Sequence, residues 1–167
     1  MKEARSTQLQ VRVSPAQKKA IQAAARRAGR SVSAWVLARL LPSAAEELAS
    51  AIAGLGEMKN GTDRSFAFSE ILDLLSRLSR EDLATTVEHP PARPLDAYWS
   101  NYLAATIEQA AAARNIRVPD WVTSIPPLEE PVFGSTLTSL RLHLLIASPP
   151  PFAARNLFID TALGGRV

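Results

Sequence analysis

Between residues 7 and 13 apolar and polar positions alternate one for one, with Leu9, Val11 and Val13 set against Gln8, Gln10 and Arg12. A period of two with β-branched residues predicts a short strand with one apolar and one polar face. Ser14 and Pro15 then change the period. Serine suits an N-cap and proline the first helical position, so residues 16–28, rich in helix formers, form a helix that Gly29 stops. Ser31 can cap a second helix, in which Val32, Trp35, Val36 and Leu40 recur at helical spacing up to Leu41 and Pro42.

The rest of the chain keeps helical periodicity. Leu48, Ile52 and Leu55 form one stripe before a break at "KNGTD", residues 59–63, which predicts a loop. Phe66 and Phe68 lead into Ser69, after which Ile71, Leu74, Leu75 and Leu78 repeat at i, i+3, i+4 and i+7, and Ser79 with Asp82 resembles a capping box. Three prolines in "EHPPARP", residues 88–94, forbid a helix and mark a linker. Asp96 can start a helix carrying Trp99, Tyr102, Leu103, Ile107 and Ala110 on one face and ending near Arg114 and Asn115. "VPDWVTSIPPLEEPVFG", residues 118–134, predicts an ordered but irregular connection; a further helix is expected over 136–147, before "SPPPFAARNLFID". The fold class is therefore mainly α, with one short strand, two short helices and a helical, proline-rich C-terminal module. Three segments are expected: 1–42, a helical connector and linker at 43–93, and 94–167. There is no internal repeat.

Charge sharpens this division. Net charge is +3, but residues 1–41 carry nine Lys or Arg against one acid, Glu3, and the remainder is negative by five. Such polarity is expected when one part of a chain meets a polyanion and another does not. The chain has no cysteine, which excludes disulfides, thiolate metal sites and a cysteine nucleophile. No window approaches the roughly 18 apolar residues of a membrane span, and no targeting segment is evident, so a cytoplasmic location is the expectation. A bias of 15 Arg to 4 Lys with abundant alanine suggests a bacterial, GC-rich gene.

A single strand in a helical chain has unpaired edges, and a second copy of the chain is the obvious partner. If two copies of residues 7–13 pair antiparallel, Leu9, Val11 and Val13 face the helices and Gln8, Gln10 and Arg12 from both copies form one exposed face. A two-stranded ribbon fits the major groove, where Gln bonds adenine and Arg bonds guanine in bidentate fashion; the competing reading is a merely solvated face. "TQLQVRV", the helix start "SPAQ", the Gly29 turn and "GRSVSAWV" together resemble the ribbon-helix-helix family of bacterial repressors and antitoxins. The resemblance implies base reading by Gln8, Gln10 and Arg12. It also implies phosphate clamping at the start of the second helix, by the backbone of Val32 and Ser33 with the Ser31 and Ser33 hydroxyls. Lys18 and Arg30 are further DNA-binding candidates, though a solvated helix face explains them equally. The dimer interface would take Leu9, Val11, Val13, Trp35 and Val36.

The remaining residues show few signs of an enzyme. His89 and His143 have no metal-ligand spacing with carboxylates, and no phosphate loop or nucleophile elbow occurs, so neither catalysis, metal nor cofactor is expected. "VPDWV", "EEPVF", "SLRLHLL", "SPPPFAARNLFID" and a final Ala-Leu resemble, in that order, the tail of antitoxins whose operon partner is a nucleotidyltransferase-like toxin. That resemblance implies a partner-binding role for residues 94–167, with Trp121, Phe133, Phe152 and Phe158 as candidate anchors against the competing reading of core packing. Two functions follow as expectations. One is a type II antitoxin that represses its own operon as a dimer on operator DNA and neutralises a toxin by direct binding; the other is a ribbon-helix-helix transcriptional regulator, or an accessory protein of plasmid DNA processing, with an effector-binding C-terminal module.

Overall fold

The computed structural model describes residues 10–59 and 61–160. The chain divides into two compact units, Met1–Pro42 and Ser43–Val167, and its architecture is mainly α.

The first unit is a helix pair, α1 (Pro15–Arg27) and α2 (Val32–Leu40). The Ser14 hydroxyl accepts from the Gln17 amide at 3.2 Å while the Gln17 side chain accepts from the Ser14 amide at 2.8 Å, a reciprocal cap that satisfies two otherwise orphaned donors. At the other end Gly29 takes φ +63°. Its amide bonds Arg26 O, and the Arg30 amide bonds Ala25 O, at 3.0 Å each. A left-handed residue is needed to close both bonds, which is why glycine stands there. Ser31 caps α2, accepting from the Ala34 amide at 3.2 Å.

The strand expected over 7–13 falls only in part on described residues. Thr7, Gln8 and Leu9 lie outside the described residues, and residues 10–13 belong to no helix or sheet. A strand is defined by its ladder, and among the described residues no segment pairs with residues 10–13.

The second unit comprises α3 (Ala44–Glu57), α4 (Gly61–Arg77), α5 (Arg80–Thr86), α6 (Ala97–Ala113), α7 (Asp120–Thr123), α8 (Arg141–Ala147) and α9 (Pro150–Ala153), with two-residue strands β1 (Val132–Phe133) and β2 (Leu157–Phe158). Helix α3 packs on α4 and α5, α4 on α6, and α6 on α7 and α9. Leu55, Ile71, Leu83, Leu103, Ile107 and Val122 are fully buried in one core. That core takes residues from both sides of the proline segment 88–94, so the expected division between 43–93 and 94–167 is replaced by a single unit. A smaller cluster of Ala105, Phe152, Leu157 and Ile159 adjoins the other face of α6.

Three local expectations are corrected. Helix α4 starts at Gly61, well before Ser69, and the hydroxyls of Ser65 and Ser69 donate back to Gly61 O and Ser65 O at 3.0 and 3.1 Å. Burial of Phe68, Ile71 and Leu75 on one face outweighs the turn residues at 60–63. A second β element exists: β1 and β2 pair parallel, Val132 with Leu157 and Phe133 with Phe158. The helix expected over 136–147 begins at Arg141, preceded by a 3₁₀ turn at Thr138–Leu140.

Candidate nucleic-acid interface

Residues 10–42 contain seven cations, Arg12, Lys18, Lys19, Arg26, Arg27, Arg30 and Arg39, and no acid. All seven residues are exposed. Among the described residues none of them joins an ion pair. The Arg39 guanidinium lies 5.4 Å from the centre of the Trp35 ring, a favourable cation–π position.

Arg30, Ser31, Val32 and Ser33 form the turn into α2 and are all exposed. Ser31 Oγ and O take the Ala34 and Trp35 amides; the amides of Val32 and Ser33 are the ones this cap leaves open. An open first turn carries the positive end of the helix dipole and can receive an anion. Gln10 and Arg12 are exposed ahead of α1, and Lys18 is exposed on it. No hydrogen bond or ion pair joins Gln10, Arg12 or the Lys18 side chain to the 30–33 turn. Gln8 lies outside the described residues.

Apolar side chains in this unit are left open as well. Val11 and Val13 are 67% and 43% exposed, and Leu40 and Leu41 are 65% and 61% exposed. Trp35 and Val36 are half-buried, and Ala25 is the single buried residue among those described in the unit. Leu9, the third expected inward residue, lies outside the described residues. Leu37, Leu40 and Leu41, absent from the expected interface, share the exposed set; their i, i+3, i+4 spacing was the signal that could have included them.

The C-terminal anchors fare differently. Phe152 is fully buried, edge-on to Tyr102 at 5.3 Å, so it is core and not a surface anchor. Trp121 is half-buried and its indole N–H donates to Val87 O at 2.9 Å. Phe133 and Phe158 stack at 5.2 Å, half-buried, with the Arg141 guanidinium 5.1 Å from the Phe133 ring. His143 Nε2 stands 2.6 Å from the Asp160 carboxylate. Among the described residues no His, Asp and Glu group could hold a metal, and no helix is long and apolar enough to cross a membrane.

Arg155 was not singled out from the sequence. Buried at 5% exposure, it pairs with Glu108 and donates to Val122 O at 2.8 Å and to Asn101 Oδ1 and Ile125 O at 3.2 Å. It fastens α6, the segment after α7 and the end of α9 to one another. A lone arginine in an apolar run carries no periodic signal, so only the packing reveals it.

Residues 3–51 match the NikA-like family, described as mobilization protein NikA. The matched span covers the basic unit and runs into α3. No curated protein and no solved structure matches the chain.

Proposed function

We propose that residues 1–42 form a dimeric DNA-binding module of ribbon-helix-helix type and that the protein is an accessory factor of plasmid DNA processing, without catalysis of its own. The match to mobilization proteins over residues 3–51 carries this reading, because it spans residues 10–42, which carry seven cations and no acid. The geometry supports it. Val11, Val13, Leu40 and Leu41 stand open in a unit with almost nothing buried, as expected of a subunit whose core is completed by a second copy. Pairing residues 7–13 of two copies would cover these side chains and present Gln8, Gln10 and Arg12 together to base edges. Phosphates would meet Lys18, Arg30 and the open first turn of α2. The same module would serve a transcriptional regulator; the match to mobilization proteins favours the DNA-processing role.

The antitoxin reading remains second, on the strength of the tail motifs in residues 118–163; the matched span ends before them. One experiment separates the two. Full-length protein is titrated onto inverted-repeat DNA from a plasmid transfer origin, onto DNA from its own promoter and onto random duplex, and the gene beside it is expressed with and without it. Preference for the origin DNA and a harmless neighbour are the expected results. A toxic neighbour rescued by residues 43–167 would hand the lead to the antitoxin.

A further inference from the structure

Helices α4 and α6 line an open cavity of about 680 Å³ in the second unit, within the span of small-molecule sites, about 300–1,000 Å³. Its wall is aromatic, formed by Phe66, Tyr98, Trp99 and Tyr102, with Ser65 and Ser69 along the α4 side. Phe66 is 73% exposed. Tyr102 stands edge-on to Phe68 at 4.8 Å and Tyr98 edge-on to Trp99 at 5.1 Å, so the tyrosine rings are held in place by the core behind them.

The polar groups define the occupant further. Ser65 and Ser69 spend their protons on backbone carbonyls of α4, which leaves hydroxyl oxygens able only to accept. Burial raises the Tyr98 and Tyr102 hydroxyls, Tyr102 to about 12, so both phenols stay protonated near neutrality. None of the lining residues is charged. The nearest ionic pair of α4 and α6 is closed on itself: Arg64 pairs with Asp96 and donates to Met58 O at 2.7 Å. An anion would find no cation among the lining residues, the Asp96 carboxylate that acts on Tyr98 is already engaged by Arg64, and a pure hydrocarbon would make no use of the serine oxygens.

We propose that this cavity binds a neutral, planar heteroaromatic molecule of one or two rings that carries N–H donors, held against the Phe66, Tyr98 and Tyr102 rings with its donors on Ser65 and Ser69. Such a molecule meets aromatic walls by offset or edge contact and pairs with acceptors fixed beside them. The site lies within Ser43–Val167 and does not depend on the DNA-binding reading.

The test uses the full chain and three probes at pH 7.5: benzimidazole, which is neutral, flat and an N–H donor; toluene, which has no donor; and phenyltrimethylammonium, which is cationic. Binding is read by saturation-transfer NMR and titration, with melting curves and sedimentation for each variant. Benzimidazole is expected to saturate with a Kd on the order of 1 mM, as suits a fragment of this size. Ser69→Phe, which fills the cavity, should weaken it by about tenfold or more, and Phe66→Ala, on an exposed side chain that folding does not need, by about fivefold. If Ser69→Phe does not fold, Phe66→Ala decides alone. Absence of saturable binding, equal or tighter binding of toluene or the cation, or unchanged benzimidazole affinity in Phe66→Ala overturns the proposal. So does a variant that sediments as a smaller species while keeping its benzimidazole affinity, since the groove would then belong to a second copy of the chain.

Discussion

Gln10 and Lys18 are both exposed, yet the proposed DNA complex gives them different tasks, and the difference can be measured. A side chain on a base edge discriminates among sequences, whereas one on a phosphate does not. Gln10→Ala is expected to cost about 1–3 kcal/mol on the preferred site and to relax base preference there. Lys18→Ala should weaken every duplex alike and reduce the salt slope by about one. Anisotropy titrations on specific and random DNA at several salt concentrations check both, and equal losses on the two DNAs for Gln10→Ala would put that residue on solvent. Arg155 shows the opposite kind of importance. Its guanidinium is buried against Glu108 and three acceptor oxygens, and Arg155→Met would strand the Glu108 carboxylate and those oxygens. Removing one partner of a buried pair costs about 3–5 kcal/mol, so chemical denaturation should show a loss of that order while DNA affinity holds.

At the scale of elements, the helices whose ends carry chemistry were legible before any coordinates. Ser14, Ser31, Ser79 and Asp96 each cap the helix that follows, with side chains accepting from Gln17, Ala34, Asp82 and Trp99 amides, because a cap is a local bond between residues three apart. Asn115, at φ 51°, closes α6 close to where the pattern placed its end. What the pattern missed depends on distant partners. The start of α4 is decided by what Phe68 and Ile71 bury against. The strands β1 and β2 are two residues each and pair across some 25 positions of chain, too short for any periodicity to register. The Gly29 turn was legible for the same reason as the caps, being written in consecutive residues, whereas Arg155 and the α4–α6 cavity exist only through packing. The cap of α3 gives a pH prediction. Glu46 accepts from the Ser43 amide and hydroxyl at 2.7 and 3.0 Å, and the amide bond, then the hydroxyl bond, hold its pKa below the ordinary value against a small opposing effect of burial. A depressed folded pKa stabilises above the unfolded carboxyl range and is lost as pH falls through the folded value. Glu46→Gln should therefore lower the melting temperature slightly on the neutral-to-alkaline side, converge with the wild type at acid pH, and so flatten the acid-side fall.

The molecule as a whole joins two units with opposite needs. The second has its own core, with Leu55, Ile71, Leu83, Leu103 and Ile107 fully buried, continuous across the proline segment, and should unfold as one cooperative body. The first buries only Ala25 among its described residues while Val11, Val13, Leu40 and Leu41 stay open. Its described residues cover little apolar surface to offset the entropy of ordering the chain, so the proposed dimer would couple its folding to association. On that reading mass action would make its stability rise with protein concentration, and that of the second unit would stay constant. Calorimetry of the full chain is expected to show a low-temperature transition that moves upward with concentration and with added origin DNA, and a higher one that ignores both. Val11→Asp places a charge in the expected ribbon and should abolish the first transition, the sedimentation dimer and DNA binding together, leaving the second transition intact. A wild-type chain that sediments as a monomer at micromolar concentration, with a first transition independent of concentration, would remove the dimer and with it the two-stranded DNA-reading face.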